Sequence, residues 1–119
     1  DIGRQNGGPV EVIFTPHLMP MDRGILSTIY ATPTRPVTEP ELVELYKSHF
    51  AGKPFVRVRT TPPATKDTVH TNFLDVCVKV VRGKVIVIAA EDNLVRGASG
   101  VAVQNFNRMF GFDERTGLM

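Results

Sequence analysis

The chain is 119 residues long, 42% apolar and 22% charged, with a formal net charge of +2 and a single cysteine. That length holds one domain with a modest core and not two ordinary ones, and the balance is globular rather than disordered or collagen-like. One cysteine excludes an internal disulfide framework, basic residues scattered among acids argue for solubility rather than a nucleic-acid partner, and no apolar run approaches a bilayer span.

Nothing in Asp1–Gly8 resembles a secretory signal, so the expected compartment is the cytoplasm by default. The chain opens without an initiator methionine in a polar stretch, DIGRQNGGP, which reads as a processed or truncated piece. Residues 1–119 are taken as a single domain.

After Gly7, Gly8 and Pro9, the run VEVIFTPHL is rich in β-branched and aromatic residues and reads as a strand. MPMDRG breaks it, and ILSTIYAT reads as a second strand, antiparallel to the first because the connection is short. Thr38 and Glu41 have capping-box spacing with Pro40 in the first turn, and Leu42, Leu45, Tyr46 and Phe50 form one apolar face. A helix over 39–50 follows, ended by Gly52 and Pro54.

PFVRVRT alternates Arg57 and Arg59 against Val56 and Val58, a short strand with one wet face. A proline-rich polar loop leads to NFLDVCVKVVRGKVIVIAAE, a hairpin over 73–90 turning at Arg82-Gly83, with Val85–Ile88 apolar on both faces as in a central strand. The order ββ-α-β-ββ-α, without βαβ alternation, implies an α+β domain: a mixed, mostly antiparallel sheet covered by helices on one face.

The last element, a helix over 92–111, carries Gly97 and Gly100 well inside it, each costing about 1 kcal/mol against alanine. Asn93 can cap it and Gly111 can end it. On a helical wheel Leu94, Ala98, Val101, Ala102, Phe106 and Met109 form an apolar packing side. A second stripe carries Asn93, Gly97, Gly100, Gln104 and Asn107. The glycines admit two readings: close packing against another element, or a helix start kept open for a ligand.

DNLVRGASGVAVQNFN closely resembles a C-terminal signature of the N-acetyl-γ-glutamyl-phosphate reductases, with Arg96 where lysine is usual. FTPHLMPMDRGILSTIYA, TNFLDVCVKV and FGFDERTGL add three more such segments, so the resemblance runs from about Val10 to Leu118. It implies a glyceraldehyde-phosphate dehydrogenase-like C-terminal catalytic and dimerisation domain, from an enzyme that uses NADPH to reduce N-acetyl-γ-glutamyl phosphate to the semialdehyde in arginine biosynthesis. An N-terminal Rossmann domain would bind NADP, and the terminal helix would pack back on it. By the same resemblance Asn93 contacts the nicotinamide carboxamide, a role an amide side chain suits because it offers both donor and acceptor. The glycines and Ala98 would then serve domain packing and leave room for the ring.

The family's nucleophilic cysteine turn and its catalytic histidine segment have no counterpart here, and no G-x-G-x-x-G occurs, so no catalytic residue is assigned. Cys77 sits mid-strand between valines, where an inert structural thiol is expected. His17 and Arg23 flank one loop; they are either a strand-end histidine and a surface arginine, or a substrate-binding pair in which Arg23 meets a carboxylate or phosphate. His49 and His70 read as solvated, and the three histidines lack metal-ligand spacing. Arg57 and Arg59 share a face without an aromatic platform for nucleic acid.

Two readings stand. The chain is the C-terminal portion of such a reductase, inactive alone, with a missing nucleotide-binding domain and a homo-oligomer face (dimer or tetramer) at the hairpin 73–90. Alternatively it is a stand-alone interaction or oligomerisation module derived from that domain. A complete small enzyme using Cys77 ranks last.

Overall fold

The hairpin is the centre of the structure, a computed structural model that describes residues 8–118. Asp1–Gly7, most of the polar opening stretch, and Met119 lie outside the described residues. Strands β3 (Leu74–Val81) and β4 (Lys84–Glu91) pair antiparallel down to Val81↔Lys84. Arg82 and Gly83 both have positive φ, 50° and 74°, the geometry whose twist matches two flanking strands. β1 (Ile25–Ala31) adds antiparallel to the far side of β4, and β2 (Val56–Arg59) adds parallel to β3. The sheet order is β1-β4-β3-β2. β4 is therefore internal, as its two-sided apolar run requires, and the domain is α+β with a mixed, mostly antiparallel sheet. Val76, Cys77, Val78 and Ala90 of the two central strands are buried, with Phe55 at the entry to β2.

Helix α1 (Glu39–His49) begins with the expected capping box. Thr38 Oγ1 accepts from the Glu41 N–H, and the Glu41 carboxylate accepts from the Thr38 N–H at 3.2 Å. The helix packs on β3 and β2. Glu39 ties its first turn to the sheet: Lys79 Nζ lies 2.8 Å from Glu39 Oε1, and the Val80 N–H donates to Oε2.

Three elements depart from the sequence expectations. The run VEVIFTPHL forms no strand, and its pairing with ILSTIYAT does not occur. Pro16 removes a ladder donor within the run, and the outer edge of β1 has no neighbour among the described residues. Ile13, Phe14 and Leu18 consequently stand in solvent.

The arginines of β2 are half-exposed but anchored to the sheet rather than free in solvent. Register places Arg57 beside Asp75, which is fully buried. Arg57 Nε donates to Asp75 Oδ1, and Arg59 approaches Oδ2 at 3.6 Å. The Arg57 guanidinium also lies 4.3 Å from the centre of the Phe73 ring. A buried carboxylate needs such compensation, so it draws both cations down onto the sheet.

The terminal element is not one continuous helix capped by Asn93. A wide π-helical turn over Val95–Ser99 precedes α2 (Gly100–Met109), which ends as expected at Gly111 (φ 75°).

Candidate functional site

Asp92, not Asn93, organises the start of the terminal element. Its side chain is fully buried, and Oδ1 accepts from the Leu94 and Val95 N–H groups at 2.8 and 2.7 Å. Oδ2 accepts from Arg23 Nε at 2.7 Å and from the His70 N–H at 2.6 Å. Burial by itself would push this carboxyl up. The donors from Val95, His70, Arg23 and Leu94 outweigh it and hold the group well below the usual carboxylate range.

Asn93 is half-buried, and its Oδ1 accepts from the Gly24 N–H at 2.8 Å. A backbone donor fixes which end of the amide faces inward, because Nδ2 there would meet another N–H. Nδ2 therefore points away from Gly24 and has no protein partner among the described residues. Gly24 has φ 110°, and a Cβ there would lie 3.0 Å from Thr65 Cβ. Only glycine fits that position.

The two glycines of the terminal element behave differently. A Cβ at Gly100 would strike the Asn72 side-chain oxygen and come 2.8 Å from the Val95 carbonyl oxygen, whereas one at Gly97 would meet only the Asp92 carbonyl oxygen, at 3.5 Å. Gly100 thus serves packing within this chain. The amide stripe faces inward: Gly100 and Asn107 are buried. Gln104 Oε1 accepts from Asn72 Nδ2 at 3.2 Å and from Arg96 Nη1 at 2.6 Å, while Gln104 Nε2 donates to Glu114. Asn107 Nδ2 donates to the Glu114 and Thr116 carbonyls. The side expected to pack, with Leu94, Phe106 and Met109, is turned to solvent.

His17 and Arg23 are not joined by any hydrogen bond. His17 is exposed, and its one hydrogen bond among the described residues is between Nδ1 and the Thr15 carbonyl, at 3.1 Å. Arg23 is committed to Asp92 through Nε and is 25% exposed. Cys77 is fully buried, and burial pushes its thiol up, the opposite of what a nucleophile needs. His49 is exposed and edge-on to Phe50. His70 is exposed with φ 65°. Among the described residues no cluster could hold a metal ion, and no helix is long and apolar enough to cross a membrane.

Over residues 1–93 the chain matches the family described as semialdehyde dehydrogenase, dimerisation domain. The chain belongs to that family. It is 53% identical over 116 residues to the N-acetyl-gamma-glutamyl-phosphate reductase of Geobacter metallireducens, a match covering 94% of this chain and 34% of that protein. The reductase of Pelotomaculum thermopropionicum is 48% identical over 122 residues, covering 99% of this chain and 35% of the relative. That of Citrifermentans bemidjiense is 52% identical over 116 residues, covering 94% of this chain and 34% of the relative. The chain spans about a third of the length of these relatives.

The match to the dimerisation-domain family ends at Asn93, where the sheet hands over to the terminal element. Within this dimerisation domain β1 is an edge strand with Ile25 and Ile29 on one face and Leu26 and Tyr30 on the other, all exposed. Asp92 is masked in the sequence because Asn93 takes the apparent cap position. An aspartate two and three residues before free helix N–H groups is itself an Asx-turn signal. Its other two donors, Arg23 and the His70 N–H, come from 69 and 22 residues away.

Proposed function

We propose that this chain is the C-terminal portion of an N-acetyl-γ-glutamyl-phosphate reductase, inactive alone, where it lines the nicotinamide side of the redox pocket and carries the oligomer face. The observation behind the proposal is that Asn93 Nδ2 has no protein partner among the described residues while Oδ1 takes the Gly24 N–H. A carboxamide oxygen is the acceptor such a donor fits. NADPH would supply the hydride when bound. The chain's own contribution is orientation: Asn93 donates to the carboxamide, and Arg23 keeps its terminal nitrogens for an anionic group of the substrate. His17 stands on the exposed segment upstream of Arg23. The buried Cys77 contributes no nucleophile. The exposed apolar side of α2 suits burial against a nucleotide-binding domain, and the compartment that fits is the cytoplasm.

A chimaera tests this, with the chain replacing the matching third of the Geobacter metallireducens reductase. It should reduce the acyl phosphate with NADPH, and Asn93→Ala should raise the KM for NADPH by up to about tenfold, the scale of one lost hydrogen bond. Unchanged cofactor affinity and turnover would refute the role of Asn93.

A second reading, a stand-alone oligomerisation module, is favoured by the edge of β1, unpaired among the described residues, and by the exposed Ile29 and Tyr30. Edge strands of this kind pair with a second copy or are covered. Sedimentation equilibrium should show the chain alone as an oligomer that Ile29→Lys shifts toward monomer. A chain monomeric at high micromolar concentration would contradict the module, whether copies were to meet at the β1 edge or at the hairpin 73–90.

A further inference from the structure

Resting on the reading of Asn93 above, we propose that Asp92 is the positioning residue of the cofactor-side pocket, holding Asn93 at the one setting in which its amide hydrogens point outward. The geometry is a short crossed ladder built from side chains. β1 and β4 end their pairing at Ile25↔Glu91. Beyond it the next two residues of each segment are joined again, Gly24 N–H to Asn93 Oδ1 and Arg23 Nε to Asp92 Oδ2. The two links join consecutive residues on both segments and cross the register that Ile25↔Glu91 would continue, so together they interlock the two segments.

Asp92 does more than cap a turn. Its two oxygens meet three separate stretches of chain: Arg23, His70, and the Leu94–Val95 backbone. Four donors converge on one carboxylate, and all four of those contacts require an acceptor. An asparagine at 92 keeps the shape but replaces one acceptor oxygen by an NH2 group. In either flip, that group faces two donors. A buried donor–donor contact is strongly unfavourable, so the ladder opens on one side: toward Arg23 and His70, or toward the first turn. Either opening releases the Gly24–Asn93 link. Asp92 touches no ligand in this scheme; it acts only through Asn93.

Amide NMR on the 119-residue chain reads this without any cofactor. In the parent chain the Asn93 side-chain NH2 should give two dispersed resonances, and the Gly24 amide should exchange slowly. In Asp92→Asn the Asn93 pair should collapse toward free-amide positions. Gly24 exchange should speed up by about tenfold or more, while Val78 and Val87 in the central hairpin stay protected. Should Asp92→Asn fail to fold, Arg23→Gln decides, since it leaves the Leu94 and Val95 bonds to Asp92 intact: Gly24 and Asn93 should loosen and Leu94 and Val95 should not. Unaltered Asn93 and Gly24 signals in the folded variant, or equal loss of protection across the whole sheet in Arg23→Gln, would overturn the assignment.

In the chimaera, Asp92→Asn should raise the KM for NADPH, and adding Asn93→Ala to it should raise it no further. A KM untouched by Asn93→Ala alone overturns the cofactor reading, whereas the NMR signals of Gly24 and Asn93 decide the positioning role independently of any cofactor.

Discussion

The side-chain oxygen of Asn72 occupies the space that a Cβ on Gly100 would need, so the buried amide and the bare backbone of α2 pack as a unit. Among the described residues Asn72 Oδ1 accepts no hydrogen bond there, though its Nδ2 donates to Gln104. Gly100→Ala should therefore destabilise the chain by about 1–3 kcal/mol through overpacking, despite the better helix propensity of alanine. Gly97→Ala, which meets only ordinary contact, should be near neutral or stabilising by up to about 1 kcal/mol. Urea denaturation of the two variants checks both; equal effects would show that Asn72 yields.

His70 holds a left-handed backbone at φ 65° with its side chain exposed, while its N–H serves Asp92. His70→Gly relieves the Cβ strain and keeps the hydrogen bond. It should raise stability by about 0.5–1 kcal/mol, net of glycine's larger unfolded-state entropy. Arg82→Asn, at φ 50° before Gly83, should stabilise the hairpin by a similar or smaller amount. Both are read as shifts in denaturation midpoint.

Asp92 also predicts an acid dependence. Its folded carboxyl lies below its ordinary value of 3.8, so the unfolded chain takes up the proton first. Its contribution is complete above about pH 4 and is lost as pH falls toward the folded value. Asp92→Asn should cost about 3 kcal/mol near neutrality, the scale of breaking a buried charged contact. The difference between variant and parent should shrink steadily below about pH 4. A pH-independent difference would assign the loss to packing alone.

Cys77 is sealed between Val76 and Val78 with its thiol pushed up by burial. A thiol reagent should modify the folded chain only at the rate of unfolding, and quickly once denaturant is added. Rapid modification of the native chain would mean that the central strands open locally.

Much of this fold was legible because its signals are local. The capping box of Thr38 and Glu41, the turn at Arg82-Gly83 and the two-sided apolar run of β4 each lie within a few neighbouring residues, and each formed as expected. VEVIFTPHL did not, because β propensity describes fit to a pleated surface rather than a backbone preference, and Pro16 removes a ladder donor within the run. The resemblance to the reductases was likewise carried by contiguous segments, and the similarity to the reductases of three organisms, with the family match, bears it out.

What the sequence determined by itself was the α+β class, the hairpin, the first helix and the kinship, since periodicity, caps and turns need no distant partner. Tertiary structure alone decided that the amide stripe of α2 turns inward, that Arg57 and Arg59 fold down onto Asp75, and that Asp92 rather than Asn93 caps the terminal element. Each of those outcomes is set by a buried polar group finding donors or acceptors far along the chain, and such pairings have no period that a sequence can display.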